Sequence, residues 1–236
     1  MVTLDAHLLA MDRRTGAVLW DVVLADYRVG YSATLAPLIV KDKVIVGISG
    51  GEYTTRGFID AYDPQTGKIL WSIAGLGPLV YTDPLLGTTM GVSMSGFHGP
   101  AIGFKLGGSG DLTELNRLWV QSKSNPQRIG SGALVGSHVF MANENCTLQC
   151  LDVATGDEKW RERLGTGGRT WGSLLVAEGR LYITNANSVT YVVAANPDKY
   201  ELLATNSLNE PTNSTPAFSN GQIFLRTFKH LYCIGK

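Results

Sequence analysis

Apolar and polar residues alternate along this chain in runs of four to seven positions, as half-buried β-strands require. Such runs are Thr34-Leu-Ala-Pro-Leu-Ile-Val, Lys43-Val-Ile-Val-Gly-Ile, Gly132-Ala-Leu-Val, His138-Val-Phe-Met-Ala, Ser173-Leu-Leu-Val-Ala, Arg180-Leu-Tyr-Ile-Thr, Thr215-Pro-Ala-Phe and Gln222-Ile-Phe-Leu-Arg. Gly, Pro, Asn and Asp bound them, which marks tight turns. The pattern predicts many short antiparallel strands.

Superimposed on these strands is an eleven-residue repeat. It reads Ala10-Met-Asp12-Arg-Arg-Thr15-Gly16-Ala-Val-Leu-Trp20, then Ala61-Tyr-Asp63-Pro-Gln-Thr66-Gly67-Lys-Ile-Leu-Trp71, then Cys150-Leu-Asp152-Val-Ala-Thr155-Gly156-Asp-Glu-Lys-Trp160. In a fourth copy the turn is enlarged to Gly107-Gly-Ser-Gly-Asp111 while Trp119 is kept. A fifth, near Ala195-Asn-Pro-Asp198, keeps the turn and has Leu203 near the tryptophan position. The Asp side chain accepts hydrogen bonds from turn amides and the Gly supplies a positive φ, so each copy predicts a hairpin. The Trp on the second strand carries a large apolar ring with one N–H that needs an acceptor.

Tryptophan spacings of 51, 48 and 41 residues match propeller blades, which run roughly 40–50 residues. Complete units of four strands are predicted at 30–75, 80–123, 125–165 and 168–209. Residues 1–27 supply the end of a blade and 210–236 the start of one. The expected fold is therefore an all-β propeller of about five four-stranded antiparallel blades, a single domain over 1–236, closed by its terminal strands.

Composition narrows the functional classes. Twenty basic residues balance twenty acidic ones, so no basic surface for nucleic acid is expected. No apolar run reaches transmembrane length and no leader peptide is read at Met1, which makes the cytoplasm the expected location as written, or the periplasm for a piece of a longer protein. Cys146, Cys150 and Cys233 do not form a disulfide framework; Cys150 and Cys233 read as small buried residues. The four histidines are scattered and read as structural, and Gly107–Asp111 lacks the Lys-Ser/Thr end of a phosphate loop.

At the hairpin motif the chain resembles the pyrroloquinoline quinone (PQQ) repeat family, whose blades carry Ala-x-Asp-x-x-x-Gly-x-x-x-Trp. Residues 3–72 resemble PQQ-dependent alcohol dehydrogenases, above all in Gly30-Tyr-Ser-Ala-Thr34-Leu-Ala-Pro37 and Gly47-Ile-Ser49-Gly50-Gly51-Glu52-Tyr-Thr-Thr-Arg56-Gly57. Residues 80–236 resemble non-catalytic PQQ-like propellers related to the outer-membrane assembly lipoprotein, through Gly96-Phe-His-Gly-Pro-Ala101, Trp119 and Lys229-His-Leu-Tyr-Cys-Ile-Gly235. The dehydrogenase resemblance implies that Thr34, Ser49, Gly50 and Gly51 contact the quinone and that Glu52 is both a cofactor contact and a calcium ligand. A hard cation of that kind takes carboxylate oxygen. The resemblance also implies a calcium-ligand asparagine, a catalytic aspartate and an aromatic floor, and none of these matches a position after Trp71. Without proton acceptor and complete Lewis-acid site, alcohol oxidation lacks its machinery. The expected function is a non-catalytic scaffold with an unidentified protein or small-molecule partner. The alternative is a fragmentary or degenerate PQQ- and calcium-dependent alcohol dehydrogenase.

Overall fold

The computed structural model describes residues 1–53, 55–74, 84–94, 100–121, 130–165 and 168–235. Of the segments singled out above, 96–99, with His98, lies outside the described residues. Two compact units result, Met1–Lys123 and Ser124–Lys236.

The first unit opens with a hairpin of β1 (His7–Met11) and β2 (Val18–Val23). A full sheet follows from β3 (Leu38–Val40), β4 (Lys43–Gly47), β5 (Phe58–Tyr62) and β6 (Ile69–Ala74), paired in sequential antiparallel order. The next blade is β7 (Leu85–Leu86), β8 (Met90–Met94), β9 (Ala101–Lys105) and β11 (Arg117–Gln121). Between its last two strands, β10 (Gly110–Asp111) leaves the blade and pairs parallel with β6.

The second unit holds two complete blades. One is β12 (Ala133–Val135), β13 (His138–Ala142), β14 (Thr147–Asp152) and β15 (Glu158–Arg163); the other is β16 (Leu175–Ala177), β17 (Arg180–Thr184), β18 (Val189–Ala194) and β19 (Leu202–Ser207). A three-stranded sheet of β20 (Ala217–Ser219), β21 (Gln222–Arg226) and β22 (Leu231–Ile234) ends the chain. The fold is that of a β-propeller repeat protein with four-stranded antiparallel blades.

The hairpin motif acts as its chemistry predicts. Asp12 Oδ1 accepts from the amides of Arg14 and Thr15 at 2.9 and 2.8 Å, and Asp63 and Asp152 repeat the pattern. Gly16, Gly67 and Gly156 have φ of 75°, 69° and 76°, which L side chains adopt only with strain. Two of the tryptophans then reach the turn of the next blade. Trp20 Nε1 donates to Pro64 O at 3.0 Å with its ring over Gly67, and Trp160 Nε1 donates to Asn196 O at 3.0 Å.

Two copies depart from the rule. Where the turn is enlarged, the following blade offers β10 in place of a turn carbonyl: Gly110 pairs with Trp71 and Leu112 N donates to Ser72 O at 2.8 Å. Trp71 is fully buried and its Nε1 has no partner among the described residues. In the blade of β16–β19, the residue in register with the tryptophans is Ala204. A β-bulge precedes the wedge position in β2, β6, β11, β15 and β19 alike. Leu203 is the extra residue of that bulge, so counting along the sequence lands one position early.

Cys146 and Cys150 are buried, and burial pushes their thiols up to about 11 and about 12. Cys233, expected inside, is exposed; among the described residues no strand pairs with the outer edge of β22 to cover it.

The terminal sheet is pinned by Glu210, which accepts from His230 Nδ1 at 2.7 Å, Lys229 N at 2.6 Å and Tyr232 Oη at 3.2 Å. These bonds, the His230 one foremost, hold its carboxyl down at about 2 against an ordinary 4.5. A depressed folded value means the stabilisation is complete above pH 4.5 and disappears as pH falls toward 2. The thermal midpoint of Glu210→Gln is therefore expected to lie below that of the wild type at pH 6 and to converge with it by about pH 2. A constant gap between the two proteins across that range would disprove the linkage.

Candidate functional site

The residues matched to a quinone site come together in the first unit, on two loops that flank the β3–β4 hairpin. The first loop begins with Asp26, whose Oδ1 accepts from Arg28 N at 3.0 Å and caps a 3-10 turn at Tyr27–Val29. Gly30 ends that turn at φ 101°. The second loop leaves β4 through buried Ile48 and passes Ser49 and Gly50 into a 3-10 turn at Gly51–Tyr53, where Tyr53 N donates to Gly50 O at 2.9 Å.

An isolated bridge locks the loops together. Ser32 N donates to Ser49 O at 3.1 Å and Ser49 N to Ser32 O at 2.8 Å. This bridge, with proline at position 37, explains why the predicted Thr34–Val40 strand starts only at Leu38: residues 32–37 belong to the loop. Beside the bridge, the hydroxyls of Thr34 and Ser49 are 2.9 Å apart. Two hydroxyls sharing one hydrogen bond leave one O–H free to donate elsewhere.

Gly50 sits at φ 131°, and a Cβ built there would lie 2.2 Å from Gly30 O and 2.8 Å from Thr55 Oγ1. A Cβ on Gly30 would lie 2.5 Å from Tyr53 Cβ. The two glycines therefore let one loop rest directly on the other. Tyr31 anchors the base, its ring 6.2 Å from that of Phe58.

Of the matched residues, the structure thus unites Thr34 with Ser49 and buries Gly50 and Gly51 behind them. Glu52 has its backbone in the 3-10 turn; its side chain lies outside the described residues. Two features fit a cofactor rich in carbonyl and carboxylate oxygens: a spare hydroxyl hydrogen, and a carboxylate in the sequence for a hard cation. Among the described residues no group of three His, Cys, Asp or Glu converges on a metal position.

Sequence reading missed Asp60. It is 5% exposed on β5, its Oδ2 accepts from Tyr62 Oη at 2.8 Å, and its Oδ1 has no partner among the described residues. Burial raises its carboxyl above the ordinary range. The signal was present as an acid at an inward position of an alternating strand, between Phe58 and Tyr62.

His7, His138 and His230 hydrogen-bond to the nearby side chains of Asp21, Ser137 and Glu210, as structural histidines do. No helix among the described residues is long and apolar enough to cross a membrane.

Residues 1–83 and 109–196 match a family model (PQQ_2) described as outer membrane protein assembly factor BamB. Subunit 1 of the methanol dehydrogenase [cytochrome c] of Methylobacterium organophilum is 32% identical over 169 residues, covering 71% of this chain and 24% of that protein. The lanthanide-dependent methanol dehydrogenase of Methylacidiphilum fumariolicum is 49% identical over 78 residues, 33% of this chain and 13% of that one. The chain thus spans a quarter or less of these relatives. Among solved structures, BamB from Moraxella catarrhalis is 17% identical with a TM-score of 0.59, covering 96% of this chain and 75% of that one.

Proposed function

The chain belongs to the PQQ-repeat family described as outer membrane protein assembly factor BamB, and from that membership we propose that it is a propeller scaffold carrying one wall of a quinone-binding site. The wall is the pair of loops 30–34 and 49–52. The observation that carries this reading is the Thr34–Ser49 hydroxyl pair seated over the Gly30–Gly50 crossing, at the residues where the chain resembles alcohol dehydrogenases.

In that role the spare hydroxyl hydrogen of the Thr34–Ser49 pair would meet a cofactor oxygen, and Glu52 would supply a carboxylate to a hard cation beside it. Bound PQQ supplies a hydride acceptor. This chain's own residues would position it and contribute to its metal; no proton acceptor for an alcohol is assigned to them. A scaffold without cofactor is the second reading, favoured by the extent of the family match over 109–196, where no residue is matched to the quinone.

PQQ titrated into the full chain with Ca²⁺ or a lanthanide is expected to bind saturably, with a change in quinone absorbance. Glu52→Gln is expected to weaken that binding at least tenfold, about 1.4 kcal/mol, without altering circular dichroism. Absence of any saturable binding in the wild type would leave the cofactor-free scaffold as the function.

A further inference from the structure

The wedge position is a row that crosses each blade. In the third complete blade the row is Phe140–Cys150–Trp160, and the indole is wedged 5.8 Å from both Phe140 and Tyr200. In the blade after it, the same row is Tyr182–Val192–Ala204. No ring projects from Ala204 toward the terminal sheet. In that layer lies a cavity of about 360 Å³, walled by Tyr182, Val192 and Thr190 on one sheet and by Ile223, Leu225 and Ile234 on the other.

The shape and chemistry of this space define an occupant. Packed sheets stand about 10 Å apart, so a gap in one side-chain layer is a slot that admits a flat body. A dry apolar cavity of about 150 Å³ already takes benzene, so this one has room for a bicyclic ring. Tyr182 presents an aromatic ring to the cavity, held edge to face by Phe218 with centroids 4.8 Å apart, and aromatic rings favour offset or edge contacts with a further ring. None of the lining residues is charged, and Ser188, Thr190 and Asn206 offer hydrogen-bond partners to a single polar group.

We propose that this cavity binds a neutral, planar aromatic ligand of indole size, which takes the place of the indole that Ala204 does not provide. The site is separate from the quinone wall: it lies in the second unit, and its uncharged lining does not suit an anionic cofactor.

Indole itself is the probe, titrated into the full chain and followed by thermal unfolding. A saturable rise of about 3–6 °C at ten times the dissociation constant is expected, with 1-hexanol giving much less. Ala204→Trp is expected to raise the midpoint without ligand and to abolish the indole response. If that variant does not fold, Val192→Phe fills the slot from its wall with the same expected loss of response. Glu52→Gln is expected to leave the indole response unchanged, so this outcome and that of the PQQ titration are read independently. No saturable rise, equal stabilisation by hexanol, or a full response in the filled variants would overturn the assignment. So would dimerisation that Ala204→Trp abolishes in a chain insensitive to indole, which would give the cavity to a second copy.

Discussion

Trp71→Ala is expected to cost the first unit about 3–5 kcal/mol, the range for deleting a fully buried large aromatic side chain. Trp71 is 1% exposed and packs with Ile45, Ile59, Ile73, Ile102 and Phe104, residues contributed by two successive blades. Domains are stable by only about 5–15 kcal/mol, so the loss removes a large part of the margin. Trp20→Ala is expected to cost less, about 1–3 kcal/mol, although Trp20 makes the hydrogen bond to Pro64 O that Trp71 lacks. Its ring is half-exposed on the first hairpin, and buried apolar area outweighs one net hydrogen bond. Denaturant unfolding of both variants checks the order. A larger loss in Trp20→Ala would mean that the indole N–H, rather than the ring, holds the blades together.

That contrast also shows what the sequence could reveal. The Asp-x-x-Thr-Gly turns and the tryptophans were legible because each is local: Asp12 bonds amides two and three residues on, and Gly16 bends the chain between them. The acceptors of the Trp20 and Trp160 indoles were not legible, since Pro64 and Asn196 belong to the next repeat and become partners only when blades stack. The enlarged turn at Gly107–Asp111 reads as a longer loop. Its actual use, a parallel strand laid beside Trp71, depends on a free edge of β6 that no local pattern encodes. Leu203 illustrates the same limit at a finer scale. A bulge is a change in pairing, not in composition, so only the register reveals that Ala204 holds the wedge position.

The candidate site divides along the same line. Thr34, Ser49, Gly50, Gly51 and Glu52 stood out through resemblance, yet nothing in their spacing places residue 34 against residue 49. The Ser32–Ser49 bridge does that, and the Gly30–Gly50 crossing permits it. Burial of Asp60 arises from a neighbouring hairpin packing over β5: Tyr62, on the same side of that strand, lies in a cluster with Leu8, Trp20 and Val22.

Gly50→Ala is expected to be the most damaging single-methyl change in the loops, and Gly16→Ala is its control. Both positions have positive φ, 131° and 75°, so each substitution carries a backbone strain of about 1–2 kcal/mol or more. At Gly16 nothing lies within 4 Å of the added Cβ, and the cost should stop there. At Gly50 the methyl would stand 2.2 Å from the carbonyl oxygen of Gly30. Backbone cannot rotate aside as a flexible side chain can, so the loops must separate, adding about 1–3 kcal/mol. Separation breaks the Ser32–Ser49 bridge and draws Thr34 away from Ser49, which removes the hydroxyl pair from the proposed quinone wall. Gly50→Ala is thus expected to lose at least tenfold in PQQ affinity while Gly16→Ala keeps wild-type binding, both followed by quinone absorbance at matched protein concentration. Equal affinity in the two variants, with only stability affected, would show that the crossing of the loops is structural and that the quinone does not rest on it.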